Sequence, residues 1–409
     1  MSEVPVVQIL DKKNYFKQAL VSYPTALSSL PPLGDSSLRI RTEVLSVTSN
    51  NFTYARIGDL LHWWSVHPLP RDTPAPYDDA ATYGRISAWG YARVLASTFA
   101  SVPAGSYVYG YLPLGTLPLD FRVKRGVVPN QFLVTEPYRQ KLLPIYNRYT
   151  FYPATLGREI AAKTDAVAYD ALFKVMHLTA YLIADFMYPP DPSRAVSLTP
   201  SQADLADATV LAFAPGSKVG LAFGYMLRRQ RDAGKPAHVL GAASPSSQAF
   251  VRNTGVYDSV LSTSADPLAT LQELGVSDDG KVVIYDFGGR AGVAWKWAAA
   301  IGATYPRTRY VAVGSEVSDP AEAGAERPAK PESLEVDQVN ADGILTAAMA
   351  QVGEKEFWDG FEKSWEGLRR EGFKGFKVNW GEGMEDVKEG WDRYARNEVT
   401  AAEGLVFKI

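Results

Sequence analysis

Apolar runs and helical spacing alternate in the middle third of the chain. Residues 208–213 are apolar without a polar interruption, which is typical of a strand buried on both faces of a parallel sheet. Residues 218–231 carry apolar positions at helical spacing and end in basic residues, and Gly234 and Pro236 stop the pattern. Residues 237–242 form a second apolar run. The sequence therefore predicts a strand, a turn, a helix and a strand, which make a βαβ unit.

The same alternation continues after this unit. Short apolar runs at residues 257–261, 281–287 and 309–313 predict three more strands. Residues 267–274 and 292–301 have helical spacing between them. Strands that alternate with helices at this pace build a doubly wound parallel sheet, so we expect an α/β domain here.

The first 137 residues show a different pattern, in which short runs are separated by many Gly and Pro residues. Residues 38–47 alternate apolar and polar side chains, as a half-exposed strand does. Residues 62–81 are rich in Pro, Trp and Asp and predict a long loop. A small barrel or sandwich is expected. The predicted strands lie at residues 4–11, 38–47, 83–96, 107–112 and 127–135.

Near residue 138 the pattern changes from short strands to longer helices. Residues 166–187 form a long helical pattern that ends at two prolines, and residues 318–334 are a Pro, Ala and Glu stretch without periodicity, which predicts a loop. The remaining tail mixes both kinds of element. Helices are predicted there at residues 354–370 and 386–396, and strands at residues 373–380 and 405–409.

Composition narrows the class of protein. At 409 residues, with 46% hydrophobic residues, the chain is long enough for two domains with full cores. A net charge of −3 argues against a nucleic-acid partner, and the absence of Cys excludes disulfides and Cys-ligated zinc. The N-terminus lacks the apolar region of a signal peptide, and no run of 18 apolar residues occurs. We therefore expect a soluble, cytoplasmic protein without a membrane partner.

The turn before residue 218 is the first candidate binding site. A helix N-terminus offers unpaired N–H groups and the positive end of a dipole, which suit a phosphate. Gly216 has no Cβ to hold a phosphate away, and Gly220 allows the helix to pack close to the strand. We expect Gly216, Ser217, Lys218, Val219 and Gly220 to hold a diphosphate through backbone groups. The spacing is looser than G-x-G-x-x-G, so an ordinary tight turn is the alternative.

The end of the second strand bears on which nucleotide binds. A site for NAD has a carboxylate there, roughly 20 residues after the glycines, for the ribose 2′-hydroxyl. This chain has Ala243-Ser244-Pro245-Ser246-Ser247-Gln248 and no acid. Ser244 and Ser247, with Arg252 nearby, suit a 2′-phosphate better, so we predict NADP rather than NAD. A polar loop without a ligand is the alternative.

A series of motifs runs through the chain in a recognisable order. A strand followed by Asn and Gly lies at residues 38–58, and a segment ending in Ala104-Gly105-Ser106-Tyr107-Val108-Tyr109-Gly110 lies at residues 84–111. Leu178-Thr179-Ala180-Tyr181, the turn at 209–220, Gly255-Val256-Tyr257-Asp258 and a strand end at 284–289 follow. Over residues 35–409 the series resembles the medium-chain dehydrogenase/reductase superfamily, close to its zinc-free quinone and enoyl reductases. More narrowly, it resembles a poorly characterised microbial, especially fungal, branch of unknown function.

The resemblance implies a fold and a function. It implies a GroES-like β-barrel catalytic domain at residues 1–160, a Rossmann dinucleotide-binding domain at 161–335, and a return segment at 336–409 that completes the catalytic domain. The implied activity is that of an NADPH-dependent, zinc-free oxidoreductase, which reduces an α,β-unsaturated carbonyl or quinone-like small molecule. The superfamily often dimerises through its parallel sheet, so a homodimer is one expectation.

The resemblance also places candidate catalytic residues. Asn50, Asn51 and Tyr54 match the family's active-site region, where a Tyr54 hydroxyl can protonate an enolate and an amide can hydrogen-bond the carbonyl. The alternative is that Asn50 and Asn51 form a turn and Tyr54 packs in the core. Gly314 and Ser315 fall where the family contacts the nicotinamide.

Departures from the family leave other functions open. Trp89 stands among large residues where the family usually has glycines, Ser247 stands where it has an NADP-binding lysine, and the loop at 62–81 is unusually long. A non-redox lyase, isomerase or cyclase of specialised metabolism is one alternative, and a non-catalytic NADPH-binding protein is another. His62 and His67 lie near three Asp residues in that loop, but we expect no metal.

Overall fold

The structure is a computed structural model that describes residues 4–24, 30–314, 330 and 332–409. Its strands form one small sheet and two large ones. The strands are β1 (Val6–Asp11), β2 (Gln18–Ser22), β3 (Ser37–Val47), β4 (Tyr83–Gly84), β5 (Ser87–Ser97), β6 (Tyr107–Pro113), β7 (Leu119–Arg125), β8 (Gln131–Val134), β9 (Arg148–Tyr152), β10 (Thr209–Phe213), β11 (His238–Ala243), β12 (Ser259–Ser262), β13 (Val282–Asp286), β14 (Thr308–Ala312), β15 (Glu335–Gln338), β16 (Lys377–Glu382) and β17 (Glu403–Lys408).

The helices connect these strands and cover the sheets. Two of them, α3 and α5, each continue into one π turn, at Ile183–Met187 and Met226–Gln230. The helices are α1 (Ser49–Arg56), α2 (Leu156–Ala161), α3 (Asp165–Leu182), α4 (Pro200–Ala203), α5 (Lys218–Tyr225), α6 (Pro245–Thr254), α7 (Pro267–Glu273), α8 (Val293–Thr304), α9 (Ala341–Val352), α10 (Glu354–Glu371) and α11 (Gly383–Ala395).

Six strands close into a barrel. They follow the order β3-β5-β6-β9-β8-β7, and β7 pairs back onto β3. Gly90 allows β5 to cross β3 closely, because a Cβ at that position would lie 2.0 Å from the carbonyl oxygen of Val44. The tail returns to this barrel: β17 pairs with β3, and β16 pairs with β17. The barrel and the tail therefore form one continuous sheet of eight strands.

The two faces of the barrel sheet have different packing. Small and aliphatic side chains such as Ala92 and Val108 face a core to which all six barrel strands contribute, together with Phe132 and Tyr149. The other face of β5 and β6 carries Trp89 and further aromatic residues, which belong to the main core with α3. Because successive side chains on a strand point to opposite faces, one strand supplies both cores.

The second large sheet has six parallel strands in the order β12-β11-β10-β13-β14-β15. The chain runs outward from β10 to β12 and then crosses to β13 on the other side of β10. This arrangement is the Rossmann order, and its switch point lies between β10 and β13. In such sheets, ligands bind outside the carboxyl ends of the strands at the switch point.

Helix α3 joins the two halves of the molecule. The segment Asp165–Met187 is long and apolar enough to cross a membrane, but 83% of its most apolar window is buried inside the protein. Its polar residues have partners: the Asp170 carboxylate accepts hydrogen bonds from Trp365 at 2.7 Å and from Arg369 at 3.1 Å. These contacts identify α3 as a core helix that fastens α10 to the barrel.

The predicted fold class, a GroES-like barrel with a Rossmann sheet, is confirmed by this topology. The βαβ unit around β10, α5 and β11 and the long helix α3 lie within a few residues of the predicted bounds. The predicted loop at 318–334 lies mostly outside the described residues.

Several local predictions were wrong. The predicted strand at 83–96 is two strands, β4 and β5, on different sheets. Strands β2, β7, β9 and β15 and helices α1, α2, α4, α6 and α9 were not predicted. Helix α6 was missed because its first turn is a polar Ser and Pro stretch, although Ser244 as N-cap and Pro245 at the first helical position are start signals.

Candidate nucleotide cleft and active site

The turn between β10 and α5 presents two free backbone donors. Ser217 is the N-cap residue, and its Oγ accepts the Gly220 N–H at 3.1 Å. Among the described residues, the N–H groups of Lys218 and Val219 have no hydrogen-bond partner. Since the helix dipole adds partial positive charge at the same place, this turn suits an anion.

The two glycines of the turn have different roles. A Cβ at Gly220 would lie 2.8 Å from the carbonyl oxygen of Ala214, so close packing requires glycine there. A Cβ at Gly216 would lie 2.9 Å from the Cβ of Ala401, in the segment between α11 and β17. If Gly220 is matched to the third glycine of G-x-G-x-x-G, Ser217 takes the position that the diphosphate approaches. Gly216 also makes room for the tail, and its predicted role toward a phosphate stays a prediction.

Lys218 places a side-chain cation at the same helix end. Its Nζ lies 5.9 Å from the ring centre of Phe173 and 5.6 Å from that of Phe376. Among the described residues, no carboxylate forms an ion pair with it. Burial lowers the pKa of Lys218 to about 8, although the charge of Glu403 acts in the opposite direction. An unpaired ammonium beside a positive helix end is a site that a phosphate would stabilise.

The serines after β11 come together at the start of α6. The Oγ of Ser244 lies 3.1 Å from that of Ser247, and no acidic residue occurs between β11 and Arg252. Arg252 is exposed and is held nearby, where it donates to Gln248 at 2.9 Å and to the carbonyl of Val260 at 3.3 Å. The structure therefore brings the two hydroxyls together, whereas the guanidinium is engaged with its own helix and β12.

The carboxyl ends of β13 and β14 are joined by a backbone hydrogen bond. Gly314 donates its N–H to the carbonyl oxygen of Asp286 at 3.0 Å, and a Cβ on Gly314 would lie 2.6 Å from the carbonyl oxygen of Phe287. The Asp286 carboxylate accepts the N–H groups of Gly288 at 2.9 Å and Gly289 at 2.6 Å. Ser315 lies outside the described residues. Gly314, Ser244 and the turn at Ser217 thus all lie at carboxyl ends of the Rossmann strands.

Tyr54, on α1 of the barrel half, is hydrogen-bonded to two of its neighbours. Its hydroxyl accepts the Asn50 side-chain amide at 2.6 Å and the Trp89 indole N–H at 3.0 Å. Asn50 is partly exposed, whereas Tyr54 is only 2% exposed. The spacing of four residues on one helix places Asn50 and Tyr54 on the same face, which the sequence predicted as a shared region.

Aromatic rings enclose the Tyr54 side chain. Its ring centre lies 4.6 Å from that of Trp63, 5.0 Å from Tyr111 and 5.8 Å from Tyr146. Burial raises the pKa of the Tyr54 hydroxyl to about 12, against the opposite effect of Trp89, the nearby Tyr146 hydroxyl and Asn50. The phenol is therefore neutral near pH 7 and retains a proton that it can donate.

Asn51 has a different environment from Asn50. Its Oδ1 accepts the Thr48 N–H at 2.7 Å and its Nδ2 donates to the carbonyl oxygen of Ser87 at 2.9 Å. The residue is buried and caps the start of α1. Its side chain holds α1 against β5, and it does not meet the Tyr54 hydroxyl in the contacts of the described residues.

A cleft lies on the other side of Trp89, between the barrel, α3 and α10. It is narrow, with a cavity volume of about 30 Å³, and is lined by aromatic residues such as Tyr109 and Trp358. Arg148 and Lys174 supply charge at its wall, paired with Glu354 at 2.6 Å and Glu362 at 2.8 Å. Sequence reasoning missed these residues, although one lysine inside the apolar α3 pattern was a usable signal.

Metal ligands are not grouped in the described part of the chain. No group of three or more His, Asp or Glu side chains there is placed to hold a metal ion. His67 is buried, and the Nε2 of His177 lies 2.8 Å from the Ser364 hydroxyl inside the core. Burial lowers the pKa of His177 to about 3, so it is neutral at physiological pH.

Comparison with known proteins places this arrangement in a family. Residues 45–400 match the family model described as "Protein of unknown function (DUF2855)". The chain belongs to this family. No curated protein matches the sequence of this DUF2855 member. The narrower resemblance that the motifs suggested, to a branch of unknown function, is thereby confirmed.

Solved structures share the fold of this DUF2855 protein over nearly its whole length. Mycobacterial Rv1454c in complex with NADPH has a TM-score of 0.58 at 15% identity, over 99% of this chain and 100% of that one. A mutant enoyl thioester reductase from Candida tropicalis has 0.56 at 11%, over 100% of both chains. The CurF cyclopropanase of curacin A biosynthesis has 0.55 at 13%, over 99% of both. At these identities the likeness shows the fold alone.

Proposed function

We propose that this DUF2855 protein is an NADPH-dependent, zinc-free oxidoreductase that reduces a small α,β-unsaturated carbonyl or quinone-like compound. The observation that carries the proposal is the start of α5, where two free N–H groups and the unpaired Lys218 ammonium lie beside the switch point of the Rossmann sheet. The fold supports it, because a mycobacterial protein of this fold was solved with NADPH bound.

The residues present fit a nucleotide with a 2′-phosphate. Lys218 and Val219 would hold the diphosphate through N–H groups, with the Lys218 ammonium as a charged partner. Ser244 and Ser247 would meet the 2′-phosphate, where a carboxylate would repel it. Gly314 would leave room for the nicotinamide end. When bound, NADPH supplies a hydride to the substrate.

The barrel half would supply the proton for the enolate and hold the proton donor in position. The Tyr54 hydroxyl holds a proton near pH 7 and would give it to the enolate formed by reduction. Asn50 and Trp89 hold the Tyr54 oxygen in place by their two N–H donors. The aromatic cleft beside Trp89 would take an apolar, planar substrate.

Nucleotide binding tests this proposal directly. The full chain is titrated with NADPH and NADH while nicotinamide fluorescence and thermal stability are followed. We expect a saturable response with preference for NADPH, because ligand that binds the folded state raises its apparent stability. An enone and quinone panel then tests turnover by loss of the nicotinamide absorbance. The absence of a response to either nucleotide at millimolar concentration contradicts the proposal.

A second candidate is a lyase, isomerase or cyclase on the same scaffold. The observation that favours it is the enclosure of Tyr54 by aromatic rings, with Trp89 between its hydroxyl and the cleft. A cyclopropanase also has this fold. Product formation without a change at the nicotinamide band would favour this candidate, and tight NADPH binding without any turnover would favour a non-catalytic binding protein.

We further propose a soluble, cytoplasmic protein that acts on a small molecule, without nucleic-acid or membrane partners. A homodimer would form through the edge strand β15 of the Rossmann sheet, which is largely exposed. Size-exclusion chromatography with light scattering tests the dimer: a monomer at micromolar concentration would contradict it.

A further inference from the structure

Two buried arginines near the 62–81 loop have no acidic partner. Arg139 is 0% exposed and Arg85 is 6% exposed. Neither forms an ion pair with a carboxylate in the part of the chain that the structure describes. Removing a guanidinium charge from water is strongly unfavourable unless an opposite charge and hydrogen bonds compensate for it.

The hydrogen bonds of the two guanidinium groups are incomplete. Arg139 donates to Asn147 at 3.0 Å and to the carbonyl oxygen of Tyr146 at 2.7 Å, but its Nη1 is buried without a partner. Arg85 donates to the carbonyl oxygen of Pro68 at 3.2 Å, and its Nε is buried without a partner. Burial lowers the pKa of Arg85 to about 10, and the charges that oppose this effect belong to Tyr23 and Tyr138, not to an acid.

His67 precedes Pro68, whose carbonyl oxygen binds Arg85. It is 1% exposed, and neither ring nitrogen has a hydrogen-bond partner within normal distance and angle. Burial and then the charges of Arg139 and Arg85 hold the pKa of His67 well below its usual value, although the backbone carbonyl of Tyr111 acts in the opposite direction. The imidazole is therefore neutral and offers one N–H donor.

Two hydroxyl groups on the barrel sheet complete the set. Ser87 and Tyr111 are fully buried, and neither side-chain oxygen has a partner. Ser87 pairs with Pro113 and Trp89 pairs with Tyr111 across β5 and β6, so both hydroxyl-bearing side chains lie on one face of the sheet. Tyr111 also adjoins Arg139, whose Nη2 lies 3.2 Å from the hydroxyl of Tyr149; that hydroxyl in turn donates to the Tyr111 carbonyl.

Other buried cations of this protein are compensated in ordinary ways. Lys174 is paired with Glu362 at 2.8 Å, and Arg309 with Glu335 and Asp337. Arg231 has no carboxylate partner among the described residues and its Nε is unpaired, but its other two nitrogens donate to three backbone carbonyl oxygens, among them that of Ala184 at 2.8 Å. Each of the groups around His67 can donate a hydrogen bond. The cluster lacks an acceptor that carries negative charge.

We propose that Arg85, Arg139 and His67, with the hydroxyls of Tyr111 and Ser87, form a buried site for one compact monoanion, either a halide or a carboxylate. The 62–81 loop covers this site, because the carbonyl of Pro68 bonds Arg85 and the Thr73 hydroxyl lies 2.9 Å from that of Tyr23. This gives the unusual loop a role. The site adjoins the Tyr54 cluster, since the rings of Tyr111 and Tyr54 lie 5.0 Å apart. The proposal does not depend on NADPH.

Anion-dependent stability tests the site. The full chain is melted in sodium gluconate, with chloride, bromide, acetate or benzoate added at constant ionic strength. We expect a saturable rise in Tm for at least one of these anions. Arg85→Gln should weaken the apparent affinity for that anion at least about tenfold, because a hydrogen bond to a charged group is lost. Arg309→Gln is the matched control, since it removes a buried guanidinium that is already paired with Glu335 and Asp337.

The outcomes separate the sources of the anion. Saturation by chloride and bromide identifies an inorganic ion, and bromide soaked into crystals should then give an anomalous peak beside His67. Saturation by acetate or benzoate alone identifies the carboxylate of an acidic small molecule. If Arg85→Gln does not fold, the same anion titrations are made with Arg85→Lys. The bromide map then shows whether an ion occupies the site. Equal responses of the wild type and Arg85→Gln, or a bromide map without a peak together with no saturable response, would overturn the proposal.

Discussion

The candidate nucleotide contacts at the ends of β10, β11 and β14 include exposed residues such as Ser244 and Gly314, whereas Tyr54 on α1 is 2% exposed among aromatic rings. The nucleotide side depends mostly on backbone N–H groups, which the fold places at strand and helix ends whatever side chains follow. The barrel side depends on side chains, which packing can enclose. A fold can therefore retain its cofactor framework while its reactive face changes.

Removal of the Tyr54 hydroxyl is expected to have the largest effect. Tyr54→Phe should lower kcat about 10²–10⁴-fold, because a positioned proton donor is lost, and it should leave NADPH affinity unchanged. Steady-state kinetics and a fluorescence titration measure the two effects. Tyr188→Phe, which removes a buried hydroxyl outside the Tyr54 cluster, is the control. Unchanged turnover in Tyr54→Phe would show that the enclosed phenol only packs.

The next largest effect is expected at the diphosphate turn. Lys218→Met should weaken NADPH binding about 10- to 100-fold, because a charged hydrogen-bond partner is lost while the backbone donors remain. Calorimetric titration measures the affinity, and Lys163→Met, a change of a lysine paired with Glu382 outside the cleft, is the control. An unaltered Kd for NADPH would mean that the rings of Phe173 and Phe376 hold the Lys218 ammonium away from the phosphates.

A smaller effect is expected at the adenosine end. Ser244→Asp should shift the preference from NADPH toward NADH by about tenfold, which corresponds to about 1.4 kcal/mol. The carboxylate repels a 2′-phosphate and accepts a ribose hydroxyl. Parallel titrations with the two nucleotides measure the ratio, and Ser244→Asn is the uncharged control. A ratio that does not move would place the 2′-phosphate elsewhere.

The pH dependence of binding should show the smallest effect. NADPH affinity should fall as the pH rises through about 8, because Lys218 then loses the proton that pairs with phosphate. The stability of the unliganded protein should move the other way. Between about 8 and the ordinary lysine value of 10.5, the unfolded chain holds the proton that the folded chain has lost, so this group makes stability rise with pH. Lys218→Met should abolish both trends, and a pH-dependent Kd in that variant would assign them to another group.

The balance of buried charge gives a second contrast between regions. At the α3–α10 contact, Lys174 and Arg369 both meet carboxylates. Under the 62–81 loop, Arg85 and Arg139 meet none among the described residues. An anion from outside the chain would compensate the second group, which is the basis of the proposed anion site.

The sequence predicted much of the Rossmann half. Apolar runs and helical spacing are local signals, so β10, α5, β11 and α3 lie close to their predicted bounds. Elements with polar starts, such as α6, and short barrel strands, such as β9, were missed because their stability comes from pairing with distant strands. Asn50 and Tyr54 were placed together by the family resemblance, whereas the helix that sets them on one face was not predicted.

By itself the sequence determined the order of most strands and helices in the Rossmann half, the glycine-bearing turn, and the absence of an acid after β11, since all of these are properties of neighbouring residues. Only the tertiary structure decided that Ala401 packs on Gly216, that Trp89 hydrogen-bonds Tyr54, and that Arg85 and Arg139 act on one histidine. These contacts join residues far apart in the chain. They depend on how the closed barrel, its loop and the returning tail fill shared space, which no local pattern encodes.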